Sequence, residues 1–175
     1  MYEIQPSDAL TAIAEIAIGL AGFAGLIVTL RNRGLSSWPR SDLVRLRFML
    51  WLACATFFLA LLPYISASLS LSDERTWASA AYVLGAGLVA ITVLTNILSW
   101  PIRHQLSKLW NTIYQVGSIV TAAIVLCSAF EIIGLPTISA YLIGLVWMLF
   151  YSTSLFVRLI LNQPTSSSKN EAAPF

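Results

Sequence analysis

Long apolar runs separated by short polar segments dominate this chain. Five such runs cover residues 9–30, 48–71, 77–100, 113–135 and 138–161. Each run exceeds the roughly 20 residues that an α-helix needs to cross about 30 Å of hydrocarbon. Backbone groups in lipid must be hydrogen-bonded within their own segment, and alternating strand patterns are absent, so helices are expected. The sequence predicts an all-α, polytopic integral membrane bundle of five transmembrane helices.

The segments between the runs carry end signals. Residues 41–47 are predicted to extend the second helix into the headgroup region, where Asp42 is one turn from Arg45 and can pair with it. Arg45 and Arg47 are predicted contacts for anionic lipid headgroups, and the alternative is that they only set topology. Pro63 is expected to kink the second helix. Residues 162–175, rich in Ser, Pro and Asn, predict a disordered cytoplasmic tail.

Composition agrees with this pattern. Hydrophobic residues make up 58% of the chain and charged residues 10%, with a mean hydropathy of +0.79. A soluble domain does not need so many apolar residues to fill its core. The formal net charge of +2 gives no indication of nucleic-acid binding.

The basic residues predict an orientation. When five helices are assigned, nine of the ten Lys and Arg residues fall on one side and only Arg75 falls on the other. Basic residues near helix ends are retained in the cytoplasm, so the N-terminus is expected outside and the C-terminus inside. The first eight residues contain Glu3 and Asp8 but no Lys or Arg, which does not fit a cleaved signal peptide. These features suit the plasma membrane, in particular a bacterial inner membrane.

Two carboxylates fall inside the predicted spans. Glu15 lies about 10 Å from the outer end of the first helix, and Glu131 lies about one turn from the outer end of the fourth. An ionised carboxylate is costly in hydrocarbon, so each is expected to hold a proton, bind a cation or hydrogen-bond a neighbouring helix. With Thr11 and Asn96, they form the predicted ion or proton site. The alternative is that these residues only hold helices together.

The first helix has two faces suited to close packing. Asp8, Thr11, Glu15, Gly19 and Gly22 recur at steps of three and four and share one face, and Ala17, Ala21 and Gly25 form a second row of small residues. Small residues let helices approach closely in lipid. The small residues of both rows therefore predict a packing or oligomer face, and packing within one protomer remains an alternative to an oligomer contact.

The stretch Ala12-Ile13-Ala14-Glu15-Ile16 resembles the first helix of the small multidrug resistance transporters. The membrane-embedded Glu of that family exchanges protons for cationic drugs. The resemblance covers these few residues, and the family has four helices and a shorter chain. It implies that a single buried acid such as Glu15 can serve as a whole coupling site.

Several chemistries are not expected. His104 is the single histidine and lies between predicted spans, so histidine-based metal or haem sites and a Ser-His-Asp arrangement are disfavoured. No glycine-rich phosphate loop occurs. The sequence predicts no cofactor, no metal and no enzymatic activity.

Two functional hypotheses remain open. The first is an oligomeric channel or small carrier for protons or cations that uses Glu15 and Glu131. The second is a non-transporting membrane subunit that anchors, senses or assembles with partners through the glycine-rich face of the first helix. The expected partners are the lipid bilayer, other copies of the chain and, under the second hypothesis, another membrane protein.

Overall fold

The computed structural model describes residues 5–30, 40–69, 72–99 and 108–161. These segments form five α-helices: α1 (Pro6–Leu30), α2 (Arg40–Ser68), α3 (Asp73–Ser99), α4 (Lys108–Ala129) and α5 (Thr137–Leu161). Each helix is long and apolar enough to cross a membrane, which is compatible with a multi-pass membrane protein. The prediction of an all-helical fold with five helices that could each span a membrane is confirmed.

Two helix ends differ from the apolar pattern. α2 begins at Arg40, ahead of the apolar run at 48, which agrees with the predicted extension over 41–47. α4 ends at Ala129, whereas the apolar run that predicted the fourth helix continues to residue 135. The apolar residues continue past Ala129, but the backbone turns because Glu131 adopts a left-handed conformation with a φ of 57°. Hydropathy alone did not register that turn.

α5 lies at the centre of the bundle. It packs on all four other helices, while α1 and α2 form one extensively packed pair and α3 and α4 form another. Tyr141, Leu145, Met148 and Ser152 of α5 are buried in the common core. α2 and α3 pack less extensively than either pair, and an apolar groove lies between them.

Side chains of α5 also bind the backbone of α2. Pro63 lies within α2 and has no N–H, so the carbonyl of Leu59, four residues earlier, has no helical donor. The hydroxyl of Tyr141 donates a hydrogen bond to that carbonyl. A second hydrogen bond joins α5 to α2 nearer the other end of the two helices: the Ser152 Oγ donates to the Met49 carbonyl at 3.1 Å. α2 therefore continues through Pro63, and the Leu59 carbonyl still accepts a hydrogen bond.

Part of the orientation prediction falls outside the described residues. Arg31, Arg33, Arg103 and the tail 162–175, which includes Lys169, lie in segments that the structure does not describe.

Candidate functional site

The residues predicted to bind an ion on α1 face away from the bundle. Thr11 and Glu15 are exposed, whereas the opposite side of α1 is buried against α2 and α5 through Leu10, Ile13, Ala14, Ala17, Leu20 and Ala24. The hydroxyl of Thr11 donates to the Ser7 carbonyl at 3.0 Å within its own helix. Thr11 thus already has a hydrogen-bond acceptor. Glu15 is therefore the side chain on this face that a hydrogen-bond partner would stabilise most.

Glu15 is deep within its helix. It lies nine residues after Pro6, which corresponds to about 14 Å along the helix axis. Exposed apolar side chains flank it, including Ile16 and Ile18. Glu15 makes no hydrogen bond or ion pair with another described residue. The carboxyl group thus lies on an outward, otherwise apolar surface of the bundle.

The small residues of α1 divide between the two sides of the helix. Ala17 is buried and Ala21 is half-buried, so these two residues pack within the protomer. Gly22 and Gly25 are exposed and Gly19 is half-buried, and a Cβ built on any of the three meets no described atom within 4 Å. The three glycines leave open space along α1, beginning one turn after Glu15. We call Thr11, Glu15, Gly19, Gly22 and Gly25 the outward face of α1.

Glu131 does not lie inside a span. It follows the end of α4, is exposed, and occupies the left-handed position that closes the helix. The Glu131 N–H donates to the Ser128 carbonyl at 3.0 Å and the Ile132 N–H donates to the Cys127 carbonyl at 2.9 Å. This pair of bonds is the Schellman motif, in which glycine usually takes the left-handed position. The prediction that Glu131 lies within the fourth helix, one turn from its end, is therefore wrong.

Asn96 belongs to a hydrogen-bonded contact between α3 and α4. Its side-chain amide donates to the Gln115 side-chain oxygen at 2.8 Å and to the Thr92 carbonyl at 3.0 Å. Gln115 in turn donates to Thr95 Oγ1 at 3.3 Å. The first turns of α1 and α3 lie at the same end of the bundle, because Ser7 and Tyr141 both contact the last part of α2 and Trp77 contacts Tyr141. Asn96 therefore lies about 20 Å from Glu15 along the bundle axis. The four predicted ion-site residues are not brought together in one protomer.

The two predicted headgroup contacts have different surroundings. Arg45 is half-buried and pairs with Asp42 at 3.2 Å, as the sequence spacing predicted. Arg47 is exposed and lies at one end of the groove between α2 and α3. Only Arg47 therefore presents its guanidinium to the surroundings.

Sequence reasoning missed most of the polar contacts between helices. It did not pair Asn96 with Gln115, Trp147 with Ser118, whose Oγ accepts from the indole Nε1 at 3.1 Å, or Arg158 with the Trp110 ring 4.1 Å away. The contact of Tyr141 with the Leu59 carbonyl was also missed, although the sequence contains a signal for it. A proline inside a predicted helix leaves the carbonyl four residues earlier without its helical donor. That rule points to Leu59, although it does not identify Tyr141 as the donor.

Among the described residues, no three His, Cys, Asp or Glu side chains lie close enough to hold a metal ion. No protein-family model matches this chain, and comparison with curated proteins and with solved structures found no match.

Proposed function

We propose that this chain is a subunit of a homo-oligomeric membrane assembly and that copies bind each other through the outward face of α1. The observation that carries the proposal is the exposed carboxyl group of Glu15 on an otherwise apolar surface. A charged side chain near the bilayer centre costs on the order of 3 kcal/mol or more, and burial against protein with a hydrogen-bond partner lowers that cost.

The geometry of the glycines supports the same surface. Gly19, Gly22 and Gly25 leave open space along the helix after Glu15, so the backbone of a second helix can approach α1 closely. In a two-fold symmetric contact the same surface meets itself. Two Glu15 side chains then lie near each other, and a protonated carboxyl of one copy can donate a hydrogen bond to the carboxylate of the other.

The test is the oligomeric mass of purified full-length protein in mild detergent. Wild type is expected to exceed the 19.1 kDa of one chain. Gly22→Leu should reduce that mass because it fills the open space along α1, while the protomer itself folds since the added Cβ meets no described atom. Ala86→Leu, an exposed position on α3, is the matched control and should leave the mass unchanged.

Glu15 gives a second arm of this experiment. Glu15→Gln keeps the size and hydrogen bonding of the side chain, so the assembly should persist, whereas Glu15→Ala should weaken it. A wild-type protein that is monomeric at all concentrations, or a Gly22→Leu variant with unchanged mass, would contradict the proposal.

A second candidate function is a proton or cation path between copies. Glu15 and Thr11 share the outward face, so they would line a path only at a contact between chains. Flux through liposomes should then fall with Glu15→Gln. Glu131→Gln is the control and should transport like wild type, because Glu131 lies in the turn after α4. Absence of wild-type flux across several cations and pH values would eliminate this candidate.

The proposed orientation has the N-terminus outside and the C-terminus in the cytoplasm, with a bacterial inner membrane as the proposed location. It is supported by the one-sided distribution of Lys and Arg in the sequence. Reporter fusions after Asn32 and Ser107 should be cytoplasmic, and a fusion after Ser72 should be external. A cytoplasmic signal from the Ser72 fusion would contradict the arrangement.

A further inference from the structure

A groove of about 640 Å³ runs between α2 and α3 and opens to the side of the bundle. This volume is within the range of about 300–1,000 Å³ that is common for small-molecule sites. Its floor includes Met148 of the central helix α5, and Gly87 and Ala90 of α3 keep it open because their side chains are minimal. The groove exists because α2 packs mainly on α1 and α5 while α3 packs mainly on α4.

The groove is apolar along its length and basic at one end. Arg47 is the one charged residue among the described residues that line it. Trp51 follows one helical turn later and is 76% exposed, and tryptophan is enriched where headgroups meet hydrocarbon. A ligand that fits has one anionic end and one long apolar part.

The length of the groove selects among such ligands. The groove follows α2 from Val44 to Leu59, about 22 Å, and about 18 Å of this lies between Arg47 and Leu59. The part beyond Arg47 is close to half of a hydrocarbon core of about 30 Å. One leaflet of acyl chains has this depth. A transmembrane helix of a partner would have to cross the full thickness, and the groove extends along only part of α2.

We propose that this groove binds one anionic phospholipid, with its phosphate on Arg47 and one acyl chain lying between α2 and α3. The guanidinium provides the charge that an anionic headgroup requires, and a lysine or arginine near a membrane surface favours anionic lipid by roughly 1 kcal/mol. The proposal does not depend on the α1 assembly, because the groove lies on other helices.

Two pairs of variants test it. Arg47→Gln removes the charge, and Arg75→Gln is the control because Arg75 is exposed at the first turn of α3 and outside the groove. Gly87→Leu places a larger side chain in the groove, and its Cβ meets no described atom within 4 Å. Ala86→Leu adds the same side chain at an exposed neighbouring position that does not line the groove.

The protein is reconstituted in nanodiscs of equal parts phosphatidylglycerol and phosphatidylcholine, and retained lipid is counted by native mass spectrometry after transfer to detergent. Wild type should retain one phosphatidylglycerol per protomer in preference to phosphatidylcholine. Arg47→Gln should reduce that preference by roughly five-fold, and Gly87→Leu should abolish retention. The two control variants should behave like wild type.

Tryptophan fluorescence locates the lipid. Phosphatidylglycerol brominated on its acyl chains should quench wild type more strongly than Trp51→Phe, and Gly87→Leu should remove this difference. The proposal requires both the charge effect and the groove effect. Equal retention of the two lipids by wild type, or a loss in only one of Arg47→Gln and Gly87→Leu, would overturn it. A changed oligomeric mass in Gly87→Leu with unchanged lipid retention would show that the groove binds a helix and would also overturn it.

Discussion

Glycines occupy two contrasting environments in this bundle. A Cβ built on Gly117 of α4 would lie 2.1 Å from the ring of Trp147 on α5, and one built on Gly144 would lie 2.6 Å from a methyl carbon of Leu84. Gly22 and Gly25 of α1 face open space instead. The first two glycines allow helices to touch within the protomer. The α1 glycines would also allow a helix to pack closely, but no described helix packs on them.

Polar side chains follow the same division. In the interior, Tyr141, Ser152 and Trp147 each donate a hydrogen bond to an identified acceptor on a neighbouring helix. On the outward face of α1, Glu15 has no partner among the described residues. Two buried hydroxyls, those of Thr76 and Tyr114, have no hydrogen-bond partner among the described residues. The contrast therefore concerns charge: the carboxyl group of Glu15 lies in an apolar outer surface.

The largest expected effect comes from the packed glycine. Gly117→Ala should lower the free energy of unfolding by about 1–3 kcal/mol, because overpacking forces Trp147 out of position and away from its hydrogen bond to Ser118. The measurement is unfolding in mixed detergent micelles. Gly22→Ala is the matched control and should leave the stability of the protomer unchanged. Equal losses in the two variants would contradict the division between packed and open glycines.

A smaller effect is expected from the tyrosine that compensates for Pro63. Tyr141→Phe leaves the Leu59 carbonyl without a donor and should destabilise the bundle by about 0.6–1.7 kcal/mol in the same assay. Tyr64→Phe is the comparison, since its hydroxyl makes an exposed bond of 3.1 Å to the Ser7 carbonyl at the bundle end. Tyr64→Phe should have almost no effect because water replaces that bond. Unchanged stability in Tyr141→Phe would mean that the Leu59 carbonyl needs no donor.

The smallest expected effect concerns the residue that closes α4. A left-handed conformation costs a non-glycine residue about 1–2 kcal/mol, and the extra freedom of glycine in the unfolded chain offsets about 0.4–1 kcal/mol of that. Glu131→Gly should therefore stabilise the protein by roughly 0.5–1 kcal/mol. Glu131→Gln retains the strain and should match wild type. Destabilisation by glycine would show that the Glu131 side chain makes a contribution larger than the backbone strain.

Sequence reasoning located the helices because a run of about 20 apolar residues has few other stable forms in lipid. It also gave the Asp42–Arg45 pair correctly, since residues three apart meet on any helix surface. It failed at Glu131, where apolar residues on both sides concealed the end of α4. Hydropathy reports the affinity of a segment for lipid and contains no information on the backbone angle at one residue.

For the candidate site, the sequence determined that Thr11, Glu15, Gly19 and Gly22 share one face of a helix, because helical periodicity alone fixes which residues align. It also placed basic residues at the start of α2. Only the tertiary structure decided that the Glu15 face points outward while Gly117 packs inward, and that α2 and α3 separate to leave a groove beside Arg47. The physical reason is that small and apolar residues are compatible with lipid, with a neighbouring helix or with a second chain, so their identities do not select the neighbour. That selection depends on how all five helices pack together.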